Sequence, residues 1–478
     1  MPGREQGGGA ASHRAVAQEA TIDGGGLPRA VAKLQALVRI PTVSSRDPAE
    51  VDTAAFDRFL TELARLFPLL HERLDLTRIH THGLLFRWPG RSTARPAVLM
   101  AHLDVVPVDG DAPWRHDPFG AEIVDGSIWG RGTLDDKGCL VAICEAVESL
   151  LGDGFVPAQD VWLSFGCDEE VMGTAARLAV EELRGRGVRP WFVLDEGGAI
   201  AHEAFPGVAA PVGVVGVTEK GVTTLELRTD GRGGHASTPA KGGPTARLAR
   251  AVLRLERSPM PASVPEPTVE LFRRMAPHAP AALRPLMARA DRLRPVLTRA
   301  LLAAGAETAA MTRTTFAVTT LSGSPALNVI ASTAKAGVNV RVMVGDTVAG
   351  VVEHVRRAVG DGVTVTVLEE QEPSPVSPVD DDAFRLLEHT IAAVFPDAVP
   401  APYVMMAATD SRHFTAICER VYRFAPFRMT KAQRESIHSY DEHLGVEAFL
   451  DGIAWYRTLL EGLPAETRPP TAPPPEDL

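Results

Sequence analysis

Short apolar runs alternate with helical stretches through the first part of the chain, and that succession restricts it to a layered α/β fold. Residues 97–101, 161–165 and 191–194 are apolar and bounded by Gly, Pro or acidic residues, the pattern of short buried strands. Helical patterning over 137–151 and 173–186 separates them, which predicts a largely parallel central sheet. Residues 221–229, 314–321, 334–344 and 363–368 behave differently, alternating as half-buried strands do, with helical stretches at 244–256 and 348–359. The order βαββαβ is that of the ferredoxin-like split unit, so residues 217–371 are expected to form an inserted domain. Within it, 259–311 is rich in Pro, Ala, Leu and Arg; it is expected to be helical and is long for a connection. After 372–378, a Pro-rich stretch taken as a linker, α/β patterning resumes with a helix at 382–394, a strand at 421–425 and a helix at 446–460. The expectation is a principal domain in two pieces, 27–216 and 372–464, interrupted by the insert. Disordered ends are expected at 1–26, rich in Gly, and at 465–478, rich in Pro.

Composition excludes several classes. With 478 residues, 45% hydrophobic and 23% charged, the chain is long enough for two or three domains with real cores. A formal charge of -11 argues against a nucleic-acid surface. The four cysteines, Cys139, Cys144, Cys167 and Cys418, have no C-x-x-C spacing, so neither a disulfide framework nor a thiolate zinc site is indicated. No signal-peptide core and no apolar stretch of membrane-spanning length is seen, and the expectation is a cytoplasmic protein without a membrane partner. G-x-S-x-G, H-E-x-x-H and P-loop motifs are absent.

The chemistry starts at the end of the first of these strands. His102 and Asp104 follow the apolar run 96–101, where α/β sheets place ligands. Two residues apart in an extended segment, they face one side, so Asp104 could hydrogen-bond one nitrogen of His102 while the other binds a cation. Asp135 and Asp136, after the glycine-rich turn 130–133, stand at the start of a helix; a carboxylate there can bridge two cations or cap the helix. Glu169 and Glu170 follow the strand 161–165, and adjacent carboxylates divide naturally into a ligand and a general base, although a solvated acidic turn has the same composition. Asp195 ends another buried run, where an uncompensated carboxylate is costly. His438, in a polar loop, supplies a further imidazole.

These motifs resemble the M20 family of metallopeptidases and aminoacylases: AHLDVVP, GRGTLDDKG, CDEEVMG, VLDEGG, GGHASTP and IHSYDE occur in the family's order over about residues 30–465. TDSRHF, VYRFAPF and NVI followed by VNVRVMVGDT are similar to the branch of carboxypeptidase S and the N-fatty-acyl amino acid synthase/hydrolases. The resemblance implies a zinc-peptidase-like catalytic domain with an inserted lid or dimerisation domain, and two zinc ions per subunit, with manganese or cobalt also accepted by such ligands. It implies His102 and Asp195 on one ion, Glu170 and His438 on the other, Asp135 as the bridge and Asp104 orienting His102. Glu169 would be the general base that takes a proton from a water between the ions and passes it to the leaving nitrogen. It further implies a cis peptide after Asp135, and a homodimer in which His235 reaches the partner's site to polarise the scissile carbonyl. Asn328 and Arg341 match substrate-binding positions, and Arg412 and Thr409 are further candidates for holding a carboxylate, with a structural ion pair as the alternative for Arg412. Ala331 stands where many relatives have Pro. The implied substrate is a small peptide or N-acyl amino acid with a free C-terminal carboxylate, and the 259–311 insertion could cover an acyl chain. A non-catalytic carboxylate-binding protein on the same fold is the alternative; the presence of Glu169 and Asp135 argues against it.

Overall fold

The computed structural model describes residues 28–465 except 172 and 206–207. The two ends expected to be disordered lie, apart from Ala465, outside the described residues. The chain forms two compact units, one from the residues up to Val215, Pro378–Pro400 and Thr409 onward, the other from Gly216–Ser377 and Ala401–Ala408.

The larger unit is built on a ten-stranded sheet. At its centre Ala97–His102 lies between Val161–Gly166 and Phe192–Asp195, parallel to both. Val421–Arg423, from the second piece of the chain, extends the parallel run beside Phe192–Asp195. Every residue of Ala97–His102 and Val161–Gly166 is buried, the pattern of parallel strands covered on both faces. The helix Lys137–Gly152 packs against Val446–Glu461, which joins the two sequence pieces again. An antiparallel hairpin, Asp75–Ile79 with Gly83–Trp88, forms one edge of the sheet. Because the central strands run the same way, His102, Gly166 and Asp195 all end at one edge of the sheet, and their following loops meet there.

The smaller unit carries a four-stranded antiparallel sheet in the order Thr315–Ser322, Thr333–Val342, Gly221–Asp230, Thr364–Gln371. This is the strand order of the ferredoxin-like split unit. Thr333–Val342 alternates buried and half-buried residues without a break. Its buried set joins Leu225 and Leu227 in one core with Leu248, Leu255, Val351 and Val355 of the helices Pro244–Glu256 and Val348–Val359. The 259–311 stretch is helical, as Glu266–Met275, Arg284–Ala288, Arg294–Ala304 and Ala306–Ala310.

Two boundaries differ from the sequence expectation. The segment Glu372–Ser377 belongs to the smaller unit instead of linking freely. Its prolines remove amides from any regular ladder, yet Ser377 N–H donates to Val217 O at 2.8 Å and Glu219 N–H to Ser374 Oγ at 2.8 Å. Ala401–Ala408 also clusters with the smaller unit, where Lys220 N–H donates to Met405 O at 3.0 Å. The strand Val399–Met405 contains Pro400 and Pro402, a composition that argues against a strand in sequence and is tolerated here off the main path of the sheet. Among the described residues no helix is long and apolar enough to cross a membrane.

Lys220 ties the end of the insertion to the sheet, its Nζ donating to Ala310 O at 2.7 Å and Arg313 O at 2.9 Å. Burial, with Arg341 adding to it, pulls its pKa from 10.5 down to about 8. The unfolded chain therefore holds this proton to higher pH, so the contribution of Lys220 to stability rises as pH increases from about 8 towards 10.5. Urea unfolding of the wild type and Lys220→Met across that range should show a shallower rise for the variant.

Candidate metal centre

His102, buried at the end of its strand, has its Nδ1 3.0 Å from the backbone carbonyl of Asp104 and 3.5 Å from that residue's carboxylate. The carbonyl is thus the closer partner, with the Asp104 carboxylate facing the same nitrogen. An Nδ1–H donated to the carbonyl leaves Nε2 as the ligating nitrogen. The Asp104 carboxylate accepts the amides of Glu169 and Glu170, each at 3.2 Å, and so pins the next loop of the site.

Asp135 stands before the helix Lys137–Gly152, and its peptide bond to Asp136 is cis. Its Oδ1 lies 2.9 Å from His102 Nε2 and its Oδ2 2.9 Å from His438 Nε2. His438 Nε2 is also 3.0 Å from Glu170 Oε2. Asp136 occupies the N-cap position but makes no capping hydrogen bond; its Oδ2 is 3.3 Å from the amide of His102. Ligand atoms of His102, Asp135 and Glu170 fall within 4.8 Å of one another, and so do those of His102, Asp136 and Glu196.

Asp195 is not in either group. Its oxygens accept Glu196 N–H at 2.9 Å and Ser411 N–H at 2.8 Å, and Thr409 bonds the same carboxylate. Glu196, one residue on, turns towards the site, with Oε1 3.4 Å from His102 Nε2. Successive side chains of an extended segment point to opposite sides, and the left-handed Gly197 and Gly198 then turn the chain away. Glu196 was missed in sequence because DE offers two carboxylates and composition does not say which one faces inward.

Two further residues frame the site without having been singled out. Glu442, fully buried, receives Arg131 Nη1 at 2.6 Å on one oxygen and the amides of Leu134 and Asp135 at 2.8 and 3.2 Å on the other. Arg131 Nη2 donates to Ser439 O at 2.6 Å, tying the loop of Asp135 to the loop of His438. Asp168 caps the helix Thr174–Gly185 through Thr174 N–H and Ala175 N–H, so it is not part of a freely solvated turn.

The electrostatics call for positive charge. Burial pushes the Glu196 and Asp410 carboxyls up to about 8 and raises those of Asp136, Glu169 and Glu170. Burial opposes ionisation of Asp135 too, but its bonds to the two imidazoles hold it well below the usual range. Bonds to Asp135 and Glu170 raise His438 to about 10. Glu170 Oε1 and Asp136 Oδ1 are buried with no hydrogen-bonding partner in the protein, an arrangement that a bound cation would satisfy. No cysteine joins either group among the described residues, so the donor set there is imidazole and carboxylate.

The remaining expected residues fall in both units. In the smaller one, Gly234–His235 pairs with Val329–Ile330, and Ala236 N–H donates to Asn328 O at 3.1 Å, so His235 and Asn328 share one ribbon. His235 is exposed, with Nδ1 2.7 Å from Ser237 Oγ. Arg341 is half-buried on Thr333–Val342. In the larger unit Arg412 donates Nη1 to Thr409 O at 2.9 Å and holds Nη2 3.9 Å from Asp410. Its guanidinium is thus turned to its own segment, in line with the structural alternative.

The model of peptidase family M20/M25/M40 matches residues 98–462. The chain is 34% identical to a probable carboxypeptidase S-like protein of Dictyostelium discoideum, over 88% of this chain and 82% of that one. It is 35% identical to an N-fatty-acyl-amino acid synthase/hydrolase of Xenopus tropicalis, over 92% of this chain and 87% of that one. In fold it is similar to human carnosine dipeptidase 1, with a TM-score of 0.67 and 17% identity over 96% of this chain and 99% of that one. An M20 family metallo-carboxypeptidase from Sulfolobus solfataricus gives 0.67 and 18% over 91% and 99%.

The two acidic neighbours can be separated by metal analysis after dialysis. Glu196→Gln should lose about one bound cation per chain, whereas Asp195→Asn should keep its cations and lose thermal stability, since its oxygens serve amides.

Proposed function

This chain belongs to peptidase family M20/M25/M40, and from that premise we propose that it is a two-cation amidohydrolase cleaving the amide next to a C-terminal amino acid that keeps its carboxylate. The observation that carries the reading is Asp135, whose two carboxylate oxygens each lie 2.9 Å from a different imidazole. His102 and Glu196 would hold one cation, Glu170 and His438 the other, with Asp135 between them. Two nitrogens and three carboxylates suit zinc, and manganese or cobalt equally fit the donors. When bound, two such cations supply positive charge for the developing oxyanion and acidify the attacking water.

The chain's own groups do the rest. Glu169 sits next to the ligand Glu170, its amide held by Asp104, and burial among Asp410, Glu196 and Glu170 raises its proton affinity. A carboxylate so tuned takes the proton of the attacking water and returns it to the leaving nitrogen. Arg341 binds the free carboxylate of the substrate, a task for which a half-desolvated guanidinium is well suited, and Asn328 contacts the scissile group. His235, exposed on its ribbon, polarises the carbonyl in the partner subunit of a homodimer. Carboxypeptidase S-like and N-fatty-acyl-amino acid relatives share in their names an amide beside an amino acid.

Amino-acid release from dipeptides and from short- and long-chain N-acyl amino acids, with and without chelator, tests this. Release should depend on metal, and Glu169→Gln should lower kcat by about 10²–10⁴-fold with cations retained. Metal-loaded protein that binds these ligands without releasing product would instead favour a binding protein on the same fold.

Action in trans has its own readout. Co-expressed His235→Ala and Glu169→Gln chains should recover about a quarter of wild-type activity, because half of randomly paired dimers are mixed and each mixed dimer regains one complete site. Recovery confined to the level of either variant alone would place His235 outside the partner's site.

A further inference from the structure

The loop that carries Glu169 and Glu170 begins and ends in glycine, and a carboxylate outside the proposed cation ligands touches both. Gly166 closes the strand Val161–Gly166, and Gly173 precedes the helix Thr174–Gly185. A methyl group at Gly166 would lie 2.8 Å from Asp410 Oδ2, and one at Gly173 would lie 2.1 Å from Asp410 Oδ1. Asp410 therefore sets one carboxylate oxygen against each end of the loop. It is 3% exposed, and neither oxygen has a hydrogen-bonding partner in the protein. The nearest guanidinium nitrogen, Arg412 Nη2, is 3.9 Å away. A buried carboxylate without donors costs free energy, so filling space alone would be better served by an apolar side chain. The same methyl position at Gly173 would meet Arg412 Nη2 at 3.0 Å and His413 Nε2 at 3.2 Å. Gly173 is in the left-handed region, at φ 64°, and its missing side chain is what admits the three groups. The adjoining Ser411 amide is bonded to Asp195, so Asp410 belongs to a segment anchored at a second strand end of the site.

We propose that Asp410 is a positioning residue for the hydrolysis put forward above, on which this inference rests: its carboxylate fixes the two ends of the loop and thereby the place of Glu169 relative to His102 and Asp135. Asp104 restrains this loop through the amides of Glu169 and Glu170, and Asp168 restrains its exit into the helix. Asp410 adds the restraint that ties the loop to the segment beside Asp195. A displacement of about 1 Å in a reacting group costs about 10²-fold in rate. Substrate contacts made by other elements stay intact, so the loss falls on kcat and spares KM.

The test is steady-state hydrolysis by the full-length, metal-loaded protein, with metal content and Tm measured for each variant. Asp410→Ala should lower kcat by about 10- to 100-fold with KM within about twofold and both cations retained. Asp410→Asn, which keeps the shape, should recover most of kcat. Gly166→Ala, whose methyl presses on Oδ2 and meets nothing else closer than His102 Cβ at 3.7 Å, should show a similar kcat deficit. Adding Asp410→Ala to it should lower kcat little further, because both changes act through the same contact. Asp410→Ala with native Tm and kcat within about twofold of wild type would overturn the proposal. If Asp410→Ala does not fold, an unchanged kcat in Gly166→Ala would overturn it equally. Wild-type protein that releases no product with metal bound would remove the hydrolysis itself, an outcome distinguished by preceding any substitution.

Discussion

Asp135 lies between two imidazoles that come from opposite ends of the sequence, and the rest of the larger unit is arranged to make that possible. His102 arrives on a central strand and His438 on a loop after the second piece of the chain has returned to the sheet. The carboxylate between them is one of several brought into a buried space, with Asp136, Glu170 and Glu196 close by. Ionised groups without compensation are unstable there, so the arrangement persists only with positive charge from imidazolium or from bound cations. Glu442 extends the same constraint outward. Its oxygens are filled by Arg131 and by two backbone amides, and full satisfaction of this kind is the condition under which a buried ion pair is tolerated.

Topology brings these parts together. A chain that inserts a whole unit between two halves of a sheet needs a reason for the second half to return to a fixed place. Val421–Arg423 provides it by pairing in parallel with Phe192–Asp195, while Val446–Glu461 packs on Lys137–Gly152. The strand that ends in Asp195 is thus clasped from both sides, by Ala97–His102 and by Val421–Arg423. Ser411, shortly before that returning strand, bonds the Asp195 carboxylate. Through that bond Asp195 joins two halves of the sequence, while the carboxylate of its neighbour Glu196 approaches His102.

Much of this was legible in sequence where a pattern has one physical solution. Apolar runs ending in His102, in the loop before Glu169 and at Asp195 could only be buried strands delivering polar residues to one edge, and the alternation over 334–344 matched a sheet with one covered face. The grouping of Asp135 with His102 and His438 followed from the order of the motifs, not from spacing. What could not be read was direction at the scale of one residue. Asp195 and Glu196 differ by a step that reverses the side chain, and Asp104 meets the His102 ring with its carbonyl at 3.0 Å as well as with a carboxylate that also holds the following loop. The partners of Glu442 and Asp410 lie far away in the chain, so no local pattern announces them. Val399–Met405 and 372–377 were obscured by proline, whose missing amide argues against ladders that these segments nonetheless enter or border.

The smaller unit raises the same question of direction, and there its sheet supplies the answer. In Thr333–Val342 the buried residues Ala334, Ala336, Val338, Val340 and Val342 join the core with the two helices. Lys335, Asn339 and Arg341 occupy the alternate positions and so point to the other face. A slip of one residue would drive the Arg341 guanidinium into that aliphatic core and turn Val340 outward. Such a slip is prevented by ten consecutive paired residues against Gly221–Asp230 without a bulge. The irregularity in the neighbouring strand falls between Val318 and Thr320, beyond the pairing of Thr315 with Arg341. The register that builds the core therefore also aims the arginine, setting Arg341 with Lys335 and Asn339 on the face away from that core.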